Sequence, residues 1–129
     1  MAMRILIDTN RYRDFCAAIP EVVDKFRSAE EIYISFITLA ELRAGFICGT
    51  MARKNERVLN TFLNRSRVHL VYANEDTVHH YATIFFQLRR QGTPIPTNDI
   101  WIASLATQYS LILFSRDAHF DHLPQISRV

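Results

Sequence analysis

Asp8, Glu41, Asp99 and Asp117 are the residues with most chemistry to offer together, because each adjoins a segment patterned as a strand end or a helix start. Asp8 ends the apolar run Met3-Arg4-Ile5-Leu6-Ile7, and Glu41 follows Thr38-Leu39-Ala40 shortly after Ile32-Tyr33-Ile34-Ser35. Asp99 precedes a compact apolar stretch beginning at Ile100, and Asp117 lies just beyond Leu111-Ile112-Leu113-Phe114. Singly, each has a structural alternative: Asp8 as an Asx cap, Glu41 as the acid of a Thr38-x-x-Glu41 capping box, Asp99 and Asp117 as partners of a helix dipole. Collectively they point elsewhere. In an open parallel sheet the strand C-termini and the following helix N-termini share one edge, where ligands bind at the topological switch point. The four carboxylates are therefore expected to converge. Two carboxylates ~6 Å apart repel by about 3 kcal/mol at an effective dielectric near 20, so such a cluster calls for cations or protons, and at least one carboxyl is expected to have its pKa raised by like-charge repulsion. Oxygen ligands suit Mg²⁺ or Mn²⁺, and no cysteine or histidine ligand set accompanies the acids, which disfavours zinc.

The elements that must deliver these groups are legible as an alternation. The run ending at Ile7 reads as a buried strand, followed by a helix capped by Thr9 or Asn10 and running to about Ala18. A second helix starts at Pro20, with Val22, Val23 and Phe26 at helical spacing. Strand two covers Ile32–Ser35 and a helix from Thr38 carries Leu42 and Phe46 inward. From Ala52 to Asn64 an amphipathic helix turns Val58, Leu59, Phe62 and Leu63 to one face and Arg53, Lys54 and Arg57 to another. Val68–Val71 is strand three. Val78, Tyr81, Ala82, Phe85 and Leu88 mark a long helix closed by Gly92. The segment Gly92-Thr93-Pro94-Ile95-Pro96-Thr97 is a loop into Asn98-Asp99, followed by a helix from Ile100 to Gln108, strand four at Leu111–Phe114, and a weak last strand at Ile126–Val129. Strands joined by helical crossovers specify a parallel α/β sheet covered on both faces. With no repeat, linker or low-complexity tract, residues 1–129 are expected to form a single domain.

Composition narrows the class. A 129-residue chain that is 49% hydrophobic can build a core without disulfides or a structural metal. Cys16 and Cys48, far apart and in no ligand spacing, read as reduced core thiols of a cytoplasmic protein. No apolar run is long enough for a bilayer span or a signal peptide, so membrane insertion and secretion are not expected. Thirteen of the fifteen cations are Arg, whose planar fork suits phosphate. With the four clustered acids neutralised by metal, fifteen cations face nine anions, and the remaining surface suits a polyanion. His79 and His80 are adjacent on a helix and cannot chelate together. His119 and His122 read as surface histidines beside a core Phe120.

In order and across essentially the whole chain, Ile7-Asp8-Thr9-Asn10, Thr38-Leu39-Ala40-Glu41-Leu42, Asn98-Asp99-Ile100-Trp101-Ile102-Ala103 and Ser115-Arg116-Asp117-Ala118-His119-Phe120 resemble the PIN-domain ribonucleases. The likeness is greatest to the VapC-type toxins of bacterial and archaeal toxin–antitoxin pairs. The resemblance implies a three-layer α/β/α sandwich with a mostly parallel five-stranded sheet and Mg²⁺- or Mn²⁺-dependent endoribonuclease activity. It also implies homodimerisation and inhibition by a cognate antitoxin. By position, Asp8, Glu41, Asp99 and Asp117 match the acidic quartet, catalytic and metal-binding at once. Thr9, Asn10, Thr38, Asn98 and Ser115 match the polar neighbours that orient carboxylates or water. Arg11-Tyr12-Arg13 departs from the apolar residues common there. Arg11 or Arg13 is read as touching phosphate of an RNA substrate and Tyr12 as stacking on a base, the alternative being an exposed turn of no consequence. Two other readings stay open: a receiver-type phosphoacceptor domain, which should have paired acids after strand one and a Lys after a late strand, and a non-catalytic RNA- or partner-binding module.

Overall fold

A computed structural model describes residues 3–129. In chain order the elements are β1 (Arg4–Ile7), α1 (Thr9–Cys16), α2 (Pro20–Ser28), β2 (Glu31–Ser35), α3 (Phe36–Cys48), α4 (Ala52–Leu63), β3 (Val68–Val71), α5 (Glu75–Gln91), α6 (Thr97–Gln108), β4 (Ile112–Phe114) and a 3-10 turn (Ala118–His122). The strands form one parallel sheet in the order β3-β2-β1-β4. Successive strands first step outward from β1 to β3, and the chain then returns to place β4 on the other side of β1. The switch point thus lies between β1 and β4, and the C-terminal ends of those strands flank the crevice where such sheets bind ligands.

Alternation along β1 distributes side chains to both faces. Ile5 and Ile7 enter a core with Tyr12, Val22, Phe26, Leu42, Leu59 and Phe62, whereas Leu6 joins Ile84, Leu88, Ile102, Leu105, Leu113 and Phe120 on the opposite face. The first four helices therefore cover one side of the sheet, and α5, α6 and the 3-10 turn cover the other. Each fully buried aliphatic side chain contributes roughly 1.5–3 kcal/mol. That burial on both faces holds the crevice edge in place.

The expected fifth strand is not present among the described residues. The C-terminal segment meets β4 at a single bridge, Leu113 with Arg128, through bonds from Leu113 N–H to Ser127 O (2.8 Å) and Val129 N–H to Leu113 O (3.1 Å). Pro124 lacks a donor, and Arg128 turns back to the loop after β4, so the ladder does not extend. Two inward faces also differ from expectation: Val58, Val78 and Phe85 are exposed, while Thr77 and Ile84 are buried. Cys16 and Cys48 are free and exposed rather than in the core.

Candidate active site

Asp8 leaves the last residue of β1 in extended backbone and caps α1, its Oδ1 accepting the Arg11 N–H at 2.9 Å. The expected caps Thr9 and Asn10 are instead inside the helix. The other Asp8 oxygen accepts the Ser115 hydroxyl at 2.5 Å, from a buried residue immediately after β4. Ser115 Oγ in turn accepts the Asp117 N–H at 3.1 Å, so one hydroxyl ties two of the four acids together. Thr9 donates its hydroxyl to Glu41 Oε1 at 2.7 Å, linking β1's end to α3. Asp99 stands in the first turn of α6 beneath the Pro-containing loop, its N–H bonded to Pro96 O at 3.0 Å. From the 3-10 turn, His119 Nδ1 lies 2.8 Å from Asp99 Oδ2 and 3.0 Å from Asp117 Oδ1. The four acids are thereby brought to one place: Ser115 meets the Asp8 carboxylate and the Asp117 backbone N–H, Thr9, next in the chain to Asp8, holds Glu41, and His119 lies between the Asp99 and Asp117 carboxylates.

The electrostatics follow from this crowding in a partly buried crevice. Burial is the largest influence on Asp8 and holds its carboxyl above the ordinary carboxylate range; the Ser115 hydroxyl and the N–H and charge of Arg11 pull it down, and Asp117 pushes it up. Asp99 is likewise raised, first by burial, with His119 opposing and Asp117 and Glu41 adding like-charge repulsion. Like charge was expected to dominate. Desolvation does so instead, because Asp8 is only 7% exposed and water cannot stabilise its ionised form.

The remaining sequence-derived candidates divide. Thr38 is fully buried and makes its bonds with Ser35, the true cap of α3, at 3.1 Å from its N–H and 3.3 Å between hydroxyls. The Thr38–Glu41 capping box is therefore not formed, since Thr38 lies inside the helix. Asn10 and Asn98 are exposed next to Thr9 and Asp99, but the bonds that hold the carboxylates come from Thr9, Ser115 and His119. Tyr12 cannot stack on a base. Its ring is 3% exposed and sits edge-on against Phe62, and burial pushes its phenol pKa up. Arg11 is half-buried over the Phe114 ring and paired with Asp14 at 3.4 Å, a carboxylate it shares with Arg116 at 3.3 Å. Arg13 and Arg116 are the exposed cations on these segments.

Two residues of this site were not identified from the sequence. His119 and His122 are exposed beside the buried Phe120, as expected, but the His119 ring also bridges two carboxylates. Arg128 donates to the backbone carbonyls of Ser115 (3.1 Å) and Asp117 (2.9 Å), fixing the loop that carries both. The triplet Asp-x-His within Asp117-Ala118-His119 was the available signal for His119, and nothing local announced Arg128.

A divalent ion fits this donor set. Asp99, Asp117 and His119 each offer one ligand atom, all within 4.8 Å of one another. Asp8 and Glu41 stand outside that triad, near enough for Asp117 to act on the charge of Asp8 and for Glu41 to act on that of Asp99. Hard carboxylate oxygens suit Mg²⁺ or Mn²⁺, and the charge they accumulate in this partly exposed crevice is what such an ion would offset.

The chain belongs to the PIN-domain family, whose model matches residues 5–126. Ribonuclease VapC1 of Methanocaldococcus jannaschii is 31% identical over 126 residues, covering 95% of this chain and 82% of that protein. Ribonuclease VapC2 of Haemophilus influenzae is 32% identical over 117 residues, covering 89% and 87% of the two chains. Among solved structures, VapBC-1 from nontypeable Haemophilus influenzae superposes with a TM-score of 0.86 at 26% identity, covering 98% of this chain and 97% of the other. FitAcB from Neisseria gonorrhoeae gives 0.75 at 30% identity, with coverage of 96% and 95%. Within the family, this chain is of the VapC type. That membership displaces the receiver-type reading, as does the single acid following β1.

Proposed function

We propose that the protein is a divalent-metal-dependent endoribonuclease, the toxin of a type II toxin–antitoxin pair, acting in the cytoplasm on RNA and held in check by a cognate antitoxin. The observation carrying this reading is the meeting of Asp8, Glu41, Asp99 and Asp117, from four separated stretches, at the switch point of a PIN-family sheet. Relatives named as VapC ribonucleases support the reaction class, and relatives solved as VapBC complexes support the antitoxin partner. No helix among the described residues is long and apolar enough to cross a membrane.

Asp8, Glu41, Asp99 and Asp117 would hold Mg²⁺ or Mn²⁺, with Asp117 completing the principal site or a weaker second one. When bound, such an ion lowers the pKa of a water and offsets charge growing on the phosphate. The chain supplies the rest. Ser115 and Thr9 keep the Asp8 and Glu41 carboxylates turned into the crevice, and Arg128 fixes the β4 loop, so the donors need not reorganise as the reaction proceeds. Arg13 is exposed and available to backbone phosphates, and Arg116, exposed but paired with Asp14, would have to exchange that partner for one. A crevice open at the sheet edge accepts a splayed single strand or loop more readily than an A-form helix. Attack by water rather than by a ribose 2′-hydroxyl leaves 5′-phosphate and 3′-hydroxyl ends. Self-association would use the aromatic face of α5 and α6, where Tyr81 packs on Trp101 and Phe86 is 58% exposed.

The test is cleavage of single-stranded RNA by the purified protein with Mg²⁺ or Mn²⁺, with EDTA, and by Asp8→Asn. Cleavage that needs the ion and disappears in the variant is the expected outcome. Undiminished cleavage in EDTA, or by Asp8→Asn, overturns the assignment.

A further inference from the structure

We infer that His119 is itself a donor to the divalent ion, and that its nitrogen makes the centre prefer a first-row transition ion over Mg²⁺. The inference rests on the metal-centre reading above and specifies which ion that centre takes. Donor atoms that share one ion at ~2.1 Å and sit at right angles around it are ~3 Å apart. His119 Nδ1 lies 2.8 Å from Asp99 Oδ2 and 3.0 Å from Asp117 Oδ1, the separations of neighbouring donors around one ion.

The ring is also held there by its backbone. Asp117 Oδ1 accepts the His119 N–H at 2.9 Å, and outside the acids the next residue, Phe120, is 1% exposed in the core beneath α6. The 3-10 turn is thereby pinned at both ends of the His119 backbone, with the ring over the crevice. Its side chain is 47% exposed, so Nε2 can keep its proton and bond to water while Nδ1 offers its lone pair. An imidazole nitrogen adds little for hard, tightly hydrated Mg²⁺ but strengthens binding of Mn²⁺ and, more so, Co²⁺.

A purely positioning role would have His119 hold Asp99 and Asp117 by hydrogen bonds. Removing it would then weaken every ion alike. Affinities of the intact protein, His119→Ala and His119→Gln for Mn²⁺ and for Mg²⁺ should be measured by calorimetry, alongside pulsed electron paramagnetic resonance of the Mn²⁺-loaded forms and melting in EDTA. The expected result is about a tenfold loss of Mn²⁺ affinity in His119→Ala with Mg²⁺ changed less than about twofold, which collapses the preference. A directly bonded ¹⁴N coupling should be present in the parent and absent from both variants, with melting unchanged. Equal weakening of both ions, or Mn²⁺ bound with no nitrogen coupling, overturns the inference and leaves the metal centre standing. Failure of the parent protein to bind Mn²⁺ or Mg²⁺ at all removes the metal centre and the inference together.

Discussion

Asp8 carries opposite demands on stability and function. Its raised pKa means that folding favours the protonated form. That contribution to stability is fully present below pH 3.8, the ordinary value, and is lost as the pH climbs through the folded value. At neutral pH without divalent ions the buried carboxylate is therefore a burden on the fold. Asn is as good a helix cap as Asp and can keep a bond to the Arg11 N–H, so Asp8→Asn should melt a few degrees higher than the parent at pH 7 in EDTA. The gap should close as the pH falls toward 3.8, because the parent then becomes neutral too, while RNA cleavage drops by more than about 100-fold. A variant that melts lower at pH 7, read by calorimetry across that pH range, contradicts the burial argument. Ser115→Ala keeps every carboxylate but releases Asp8 and the Asp117 N–H. Cleavage should fall by about 10- to 100-fold, with metal affinity falling in parallel in a titration. The four acids were legible because each adjoins a strand end or helix start in the sequence. His119 was not, since its partner Asp99 belongs to another element and only the tertiary fold brings the two together.

At the level of elements, the runs Ile5-Leu6-Ile7 and Leu111–Phe114 announced strands because both faces of the sheet are covered, at the central β1 and at the edge strand β4 alike, leaving no polar alternation to confuse the reading. Helix faces were harder. Val78 and Phe85 are apolar yet point outward, and Thr77 is buried because its hydroxyl and N–H are both satisfied by Asn74 in a capping box. Tyr12 misled for a related reason: its place between Arg11 and Arg13 suggested an exposed ring stacking on a base, while the ring fills the space beside Phe62. The end of α5 was clear from Gly92, which occupies the left-handed region at φ 70° and starts the loop that delivers Asp99 to the crevice. A side chain there meets nothing within 4 Å, so the cost of Gly92→Ala is conformational alone, about 1 kcal/mol. For a chain of this length the melting temperature should drop by about 4 °C with cleavage retained. A neutral melting temperature would show that the left-handed cap is not needed to end α5.

At the level of the molecule, charge is divided between a site that gathers four acids and a face, on α1 and α4, that presents cations. The cations Arg13, Arg53, Lys54 and Arg57 are exposed on α1 and α4, and only Arg43 of the neighbouring α3 is paired across to α4, with Glu56 at 3.1 Å. On the proposed reading, this division separates two contributions to RNA binding that a net charge of +2 conceals. Surface arginines would release counterions from the RNA backbone, so binding should weaken with salt whatever occupies the crevice. The acidic pocket repels phosphate unless an ion offsets it. Binding of single-stranded RNA to the inactive Asp8→Asn variant, followed by fluorescence anisotropy at several salt concentrations, should give a slope of log affinity against log salt of about −0.7 for each phosphate contacted. The double change Arg53→Gln with Arg57→Gln should make the slope shallower by about 1.4 if both side chains touch the backbone, without altering Mg²⁺ affinity measured in the RNA-free parent background. An unchanged slope would remove α4 from the RNA path and confine recognition to the crevice and to exposed cations elsewhere, such as Arg13 and Arg116.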